Sequence, residues 1–215
     1  MAVVKTITEQ VYENIYELIL DRTFAPGMKL TMKTLQEELG VSSSPIREAL
    51  TRLQQDGIVD YQPNSGMKLR TYTDKEVQDL FNIMSDLDMI SLKYALNSDN
   101  REILIQKLKN NTQASKAMIS DVDVTEWLDF SDKFHRIVAD AANNPFLQDC
   151  LNKIYRHITI FSVQYESDSA NRDLIQAAHE HIVELLEDGN YDEAILEYKN
   201  HVLLSADLAK SCLAK

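Results

Sequence analysis

Five glycines and four prolines in 215 residues leave few places where the chain can turn sharply. An all-β protein needs such turns every few residues, so the scarcity favours long helices. Hydrophobic residues make up 44% of the chain, enough to bury a core, and wholesale disorder is excluded. Cys150 and Cys212 have neither the number nor the spacing of a disulfide framework or a cysteine metal site. They fit buried thiols in a reducing compartment. The opening MAVVKTITEQ lacks the charged-then-apolar pattern of a signal segment, and no apolar run approaches the roughly 20 residues that span a bilayer. The expectation is a cytoplasmic protein without a membrane partner.

The formal charge of −12 is unevenly spread. Residues 1–73 hold eight Lys/Arg against nine Asp/Glu, and the rest hold 14 against 25. The acidity thus lies in the C-terminal two-thirds. The near-neutral first third leaves room for a local basic face that meets phosphate. The change of charge marks an expected boundary, with one domain over 1–73 and a second over 74–215.

In the first domain, Thr6-Ile7-Thr8-Glu9 fits a capping box, and Ile7, Val11, Ile15 and Leu18 follow at helical spacing. APG at 25–27 is a turn. LTMKTLQEELG is a short helix with Leu35 and Leu39 inward and Gly40 as its stop. VSSS turns the chain into another helix, with Ser44 as the expected cap and Pro45 as the first helical residue. Ile46, Ala49, Leu50 and Leu53 form its inward stripe, and Gly57 stops it. IVDYQPNSGMKLRTY then reads as strand, Pro-Asn-Ser-Gly turn and strand. Helix, tight turn, helix and hairpin make a winged helix-turn-helix. Its second helix presents its N-terminal end to the major groove of double-stranded DNA. Small serines there let backbone N–H groups approach a phosphate, and Arg47, pointing away from the Ile46/Leu50 stripe, can fork onto guanine or phosphate.

After residue 73 the chain reads as six helices. Thr73–Glu76 and Asp123–Glu126 are capping sequences, Asn144-Pro145 opens another helix, and Gly189 followed by Asn190–Glu193 separates the last two. Helices this long with short joins form an antiparallel bundle. The expected fold class is mainly α, a winged helix-turn-helix followed by a helical bundle. His135 shares a face with Leu128 and Val138, His179 with Ile175, Ile182 and Leu186, and His201 with Ala194 and Tyr198. Three helices thus each place an imidazole inward, and neutral imidazole suits divalent transition ions such as Zn²⁺ or Ni²⁺. His181 falls roughly opposite His179. His157 is read as surface or cavity wall.

The stretch LTMKTLQEELGVSSSPIREALTRLQQDGIVDYQPNSGMKL resembles the DNA-binding domain of the GntR family of bacterial transcriptional regulators. FHRIVADAANNPFL and HEHIVELLEDGNYDEAILEYKNH resemble the effector-binding (FCD-type) domain of its FadR subfamily. The resemblance implies a homodimer on a pseudo-palindromic operator and a small-molecule effector, usually a carboxylic acid. It implies DNA contacts at Lys33, Ser42, Ser43, Ser44, Pro45, Arg47 and Gly66, with Ser43 standing where the family often has Arg. It also implies metal ligands at His135, His179 and His201. The family's fourth ligand, an Asp four residues before the first histidine, is Ser131 here, with Asp132 one residue later as a possible substitute. The arginine by which many relatives grip a carboxylate falls at Met84, and Arg156 is the candidate to replace it. Two other readings stay open: histidines that contact the effector directly without metal, and a three-histidine metal-dependent enzyme. The second lacks a well-placed general acid or nucleophile.

Overall fold

The computed structural model describes residues 5–119 and 123–213, so the first four residues of MAVVKTITEQ lie outside it. The chain divides into two compact units, Met1–Tyr72 and Thr73–Lys215. The division falls one residue before the expected one because Thr73 caps the helix that follows, its side chain accepting from the Glu76 N–H.

The first unit runs α1 (Ile7–Leu20), β1 (Lys29–Leu30), α2 (Met32–Leu39), α3 (Ser43–Gln55), β2 (Val59–Gln62) and β3 (Gly66–Leu69). The capping box at Thr6 and Glu9 forms and starts α1. Helices α1 and α2 both pack on α3. The buried stripe of α3 is Ile46, Ala49, Leu50 and Leu53, as the spacing requires. Gly40 ends α2 in the left-handed region, at φ 65°. The antiparallel sheet has the order β1-β3-β2. Strand β1, absent from the sequence reading, sets Lys29 opposite Lys68. Two residues are too few to show alternation, so β1 leaves no pattern in the sequence. In the wing turn, Asn64 and Gly66 both take positive φ, at 63° and 85°.

The second unit contains α4 (Asp74–Leu96), α5 (Arg101–Met118), α6 (Val124–Ala141), α7 (Pro145–Tyr165), α8 (Ser169–Glu187) and α9 (Tyr191–Leu213). Asn144 caps α7 by accepting from the Leu147 N–H, with Pro145 at the first helical position. Helix α4 packs most extensively on α9 and also meets α6 and α7, while α5 bridges α6 and α8. Leu92, Leu104, Phe134, Val138, Ile182 and Tyr198 belong to one buried cluster. Burying each such side chain contributes about 1.5–3 kcal/mol, and this holds the helices around a polar centre. One thiol departs from expectation: Cys150 on α7 is exposed, and Cys212 is partly so.

Candidate functional site

In the second unit, His135 on α6, His179 on α8 and His201 on α9 converge. Each offers a ligand nitrogen, and these nitrogens all lie within 4.8 Å of one another. All three side chains are buried. Nε2 of His179 and Nε2 of His201 are 3.0 Å apart. Two nitrogens on one tetrahedral ion, each bonded at about 2.0–2.1 Å, would be separated by about 3.3 Å, so the observed spacing is close to that of a shared ion.

The orientation of His135 is set by its neighbours. Its Nδ1 lies 3.1 Å from Oδ2 of Asp88 on α4 and 3.0 Å from the Tyr198 hydroxyl. An ionised carboxylate only accepts, so Nδ1–H donates to Asp88 and Nε2 keeps the lone pair that a metal would use. Tyr155 on α7 donates to the other oxygen of Asp88 at 2.7 Å. A buried carboxylate behind a histidine fixes both tautomer and ring orientation, as is usual behind metal-binding imidazoles. Phe134 stacks on His179 with ring centroids 3.9 Å apart and an interplanar angle of 8°.

Burial pushes the His179 imidazole well below its usual range, with His201 and His135 adding to the effect. His201 is pushed down to about 3, by burial first and then by His135. Both rings are therefore neutral near pH 7, the form that binds metal. Burial also raises the Tyr155 and Tyr198 hydroxyls, and Asp88 raises them further. Both hydroxyls stay protonated, and that of Tyr155 donates to Asp88.

A cavity of about 20 Å³ adjoins the histidines, with His135, His201, Ser131, Asp132, Glu166 and Met84 in its wall. That is room for a single water-sized group. Ser131 and Met84 both line this cavity. Asp132 lines the cavity but is not among the converging ligands. One residue along the helix turns a side chain by about 100°, and Asp132 instead accepts from Thr159 at 3.3 Å and faces Arg136 at 3.8 Å. Arg156 is not in the wall. Ile158, Ser162 and Tyr165 form the cavity face of α7, and Arg156 lies about 200° round the helix from Ile158. His157 is not in the wall either, and His181 is exposed, 3.8 Å from Glu184.

Two functional candidates escaped the sequence reading. Asp88 carried a usable signal, a charge in register with the inward residues Val77, Phe81 and Met84. Glu166 sits at the C-terminal cap of α7, where periodicity ends. It is 1% exposed, and the Trp127 Nε1–H donates to it at 2.6 Å. Burial, reinforced by Asp132, pushes its carboxyl up to about 8, while hydrogen bonds from Trp127, Ser131 and Ser162 pull the other way.

In the first unit, α3 begins earlier than expected. Ser42 is the cap, extended at φ −70° and ψ 165°, and Ser43 is the first helical residue. Pro45 is third, a position tolerated because the first-turn N–H groups have no helical acceptor. Arg47 is accordingly fifth. The Ser42 hydroxyl makes no capping bond. Ser44 is exposed and lies 3.5 Å from Glu48. Arg47 is exposed, with no side-chain partner among the described residues. Lys33 on α2 is exposed, 3.9 Å from Glu37, and Gly66 opens β3 at the wing tip.

Residues 7–69 match the gntR family of bacterial regulatory proteins, and residues 79–203 match the FCD domain. The chain belongs to the gntR family, in the FCD-containing, FadR-like group. It is 26% identical over 194 residues to the HTH-type transcriptional regulator YdhC of Bacillus subtilis, covering 90% of this chain and 85% of that one. It is 23% identical to the fatty acid metabolism regulator protein of Haemophilus influenzae, covering 94% and 90%. The solved structure of E. coli McbR/YncC shares the fold, with a TM-score of 0.79 at 16% identity, covering 97% and 99%. Both domains and the relatives are those of transcriptional regulators, not enzymes. Among the described residues, no helix is long and apolar enough to cross a membrane.

Proposed function

We propose that this gntR-family protein binds a pseudo-palindromic operator as a homodimer, and that a small molecule and a divalent transition ion, Zn²⁺ or Ni²⁺, bind in its helical domain. The observation that carries the effector half is the convergence of three buried imidazoles beside a small cavity. His135, His179 and His201 would hold the ion. The ion would supply a Lewis-acidic anchor for an oxygen of the effector. It would also be the one positive group available to a carboxylate, because the wall itself contains no Lys or Arg.

For DNA, the α3 start from Ser42 through Pro45, together with Arg47, would meet the major groove, with Lys33 on phosphate and Gly66 at the wing. A dimer is supported by an apolar stripe on α4. Ile83 and Tyr94 are 46% and 50% exposed, and Leu87 and Ile90 lie between them at the spacing of a helix–helix seam. Effector binding would shift the population between forms that do and do not bind the operator.

A second reading is favoured by the 3.0 Å contact between His179 and His201. One Nε2–H can donate to the other ring, so the histidines are satisfied without an ion and would contact the effector directly. Elemental analysis of untagged protein purified without chelator separates the two. Near one equivalent of a transition metal supports the ion. Less than about a tenth, with no uptake of Zn²⁺ or Ni²⁺, leaves the direct-contact reading. Light scattering with and without DNA tests the dimer, and a monomer mass in both would overturn it.

A further inference from the structure

The outer face of the small sheet carries a cation that no motif in the sequence assigns. In the register of the strands, Lys29 on β1 lies opposite Lys68 on β3, and Lys68 lies opposite Asp60 on β2. Successive residues on a strand point to opposite faces. Leu30, Val59 and Leu69 are buried, so Lys29, Lys68 and Asp60 share the outer face. Like charges directly opposite on antiparallel strands weaken the pairing. Asp60 offsets the charge of Lys68. Nothing flanks Lys29 on its other side, because β1 is an edge of the sheet. Lys29 is exposed and has no ion-pair or hydrogen-bond partner among the described residues, in a chain of net charge −12. An anion arriving beside it would offset the repulsion from Lys68.

The path of the Lys29 side chain shows where that anion would be met. Its Cε lies 3.8 Å from the point that a Cβ on Gly66 would occupy. The stem thus crosses the bare backbone of Gly66, and the ammonium, one bond beyond Cε, stands at the wing tip. Strand β1 also runs straight into α2, whose second residue is Lys33. Lys29 is therefore beside Gly66 in space and close to Lys33 along the chain, and both of those positions are already proposed to meet DNA.

We propose that Lys29 is a further operator contact, its ammonium on a backbone phosphate beside the wing tip. A phosphate contact fixes the position of the wing on the duplex and reads no sequence. Gly66 leaves the lysine stem a path close to the backbone, so the two residues approach DNA together. The proposal rests on the regulator reading above.

The test is fluorescence anisotropy of the full chain on two duplexes, an operator selected from a random library by the wild-type protein and an unrelated sequence. Salt is varied from about 50 to about 200 mM. Lys29→Ala should weaken both duplexes alike, about fivefold at about 150 mM and more at lower salt, and reduce the slope of log K against log salt by about 1. Lys29→Arg keeps the charge and should keep the slope. Lys5→Ala removes the same charge from a lysine paired with Glu13 and should leave the slope nearly unchanged. The melting temperature of Lys29→Ala should not fall, because the change relieves the repulsion from Lys68. A slope unaltered by Lys29→Ala, while Arg47→Ala still weakens the operator, overturns the proposal and leaves the regulator reading standing. A loss confined to the operator would make Lys29 a base reader and overturn the phosphate assignment. Equal slope changes from Lys29→Ala and Lys5→Ala would overturn it too, by reducing the effect to net charge. A library that yields no enriched sequence would instead sink the regulator reading itself.

Discussion

The two units carry function in opposite ways. In the first, the candidate residues from Ser42 to Arg47 are nearly contiguous, with Ser42, Ser44 and Arg47 exposed and Ser43 and Pro45 partly so. A regular local frame is enough to present them. In the second, the candidates are buried and far apart in sequence, with Asp88 and His135 47 residues apart and His135 and Tyr198 63 apart. Only packing brings them together. Changes in the first unit should therefore alter binding and spare stability, while changes in the second should couple the two.

The largest expected effect tests that coupling. His179→Ala should abolish metal loading. Zn²⁺ at a hundredfold excess over its dissociation constant should stabilise wild type by about 2.7 kcal/mol and the variant by almost nothing. Thermal melts with and without Zn²⁺ read this directly. An equal shift in both proteins would remove His179 from the site.

Acid should act on the second unit in the chelated protein. His179 and His201 have lowered folded values, so the unfolded chain takes up their protons first. Their contribution is complete above about pH 6.5 and is lost as pH falls, toward about 3 for His201. Glu166 has the opposite sign. Its carboxyl is pushed up to about 8, so its contribution is present at low pH and lost as pH rises through about 8. Asp132, also raised by burial, acts in the same direction as Glu166. Below about pH 6.5 the large shifts of the two histidines outweigh the two carboxyls, and each histidine costs up to about 1.4 kcal/mol per pH unit. Denaturant melts should show greatest stability near pH 6.5. A curve rising steadily from pH 6.5 down to 4 would contradict the burial of neutral imidazoles.

Asp88→Asn separates orientation from coordination. The ligands stay, but the acceptor that fixes the His135 tautomer is weakened. Metal affinity should fall about 10–100-fold, measured by competition with a chromogenic chelator, and unchanged affinity would reduce Asp88 to a core residue.

The first unit should respond differently. Arg47→Ala should cost about 1–3 kcal/mol of specific operator binding at fixed salt, with an unchanged melting temperature. Lys33→Ala should have the smallest effect, an even loss across DNA sequences and a salt slope reduced by about 1. A melting temperature lowered by either change would break the contrast between the units.

The divide between sequence and structure follows the same line. Sequence by itself determined the helices, most of their caps and the inward stripe of α3, because those depend on contacts within a few residues. On α1 it placed Ile7 and Leu18 on the stripe, where Tyr12 and Ile19 are buried instead and Ile7 is exposed. The winged unit was legible for that reason, down to the Pro63–Gly66 turn. The three inward histidines were legible too, since each lies on its own helical face. Tertiary structure decided the rest. It started α3 at Ser43 rather than Pro45, added β1 to the wing, and set Asp88 behind His135. It turned Asp132 away from the ligands, left Arg156 off the cavity, and brought Glu166 into it. Each of these depends on which helix faces which and at what rotation, and a periodic pattern along one helix carries no information about its neighbour.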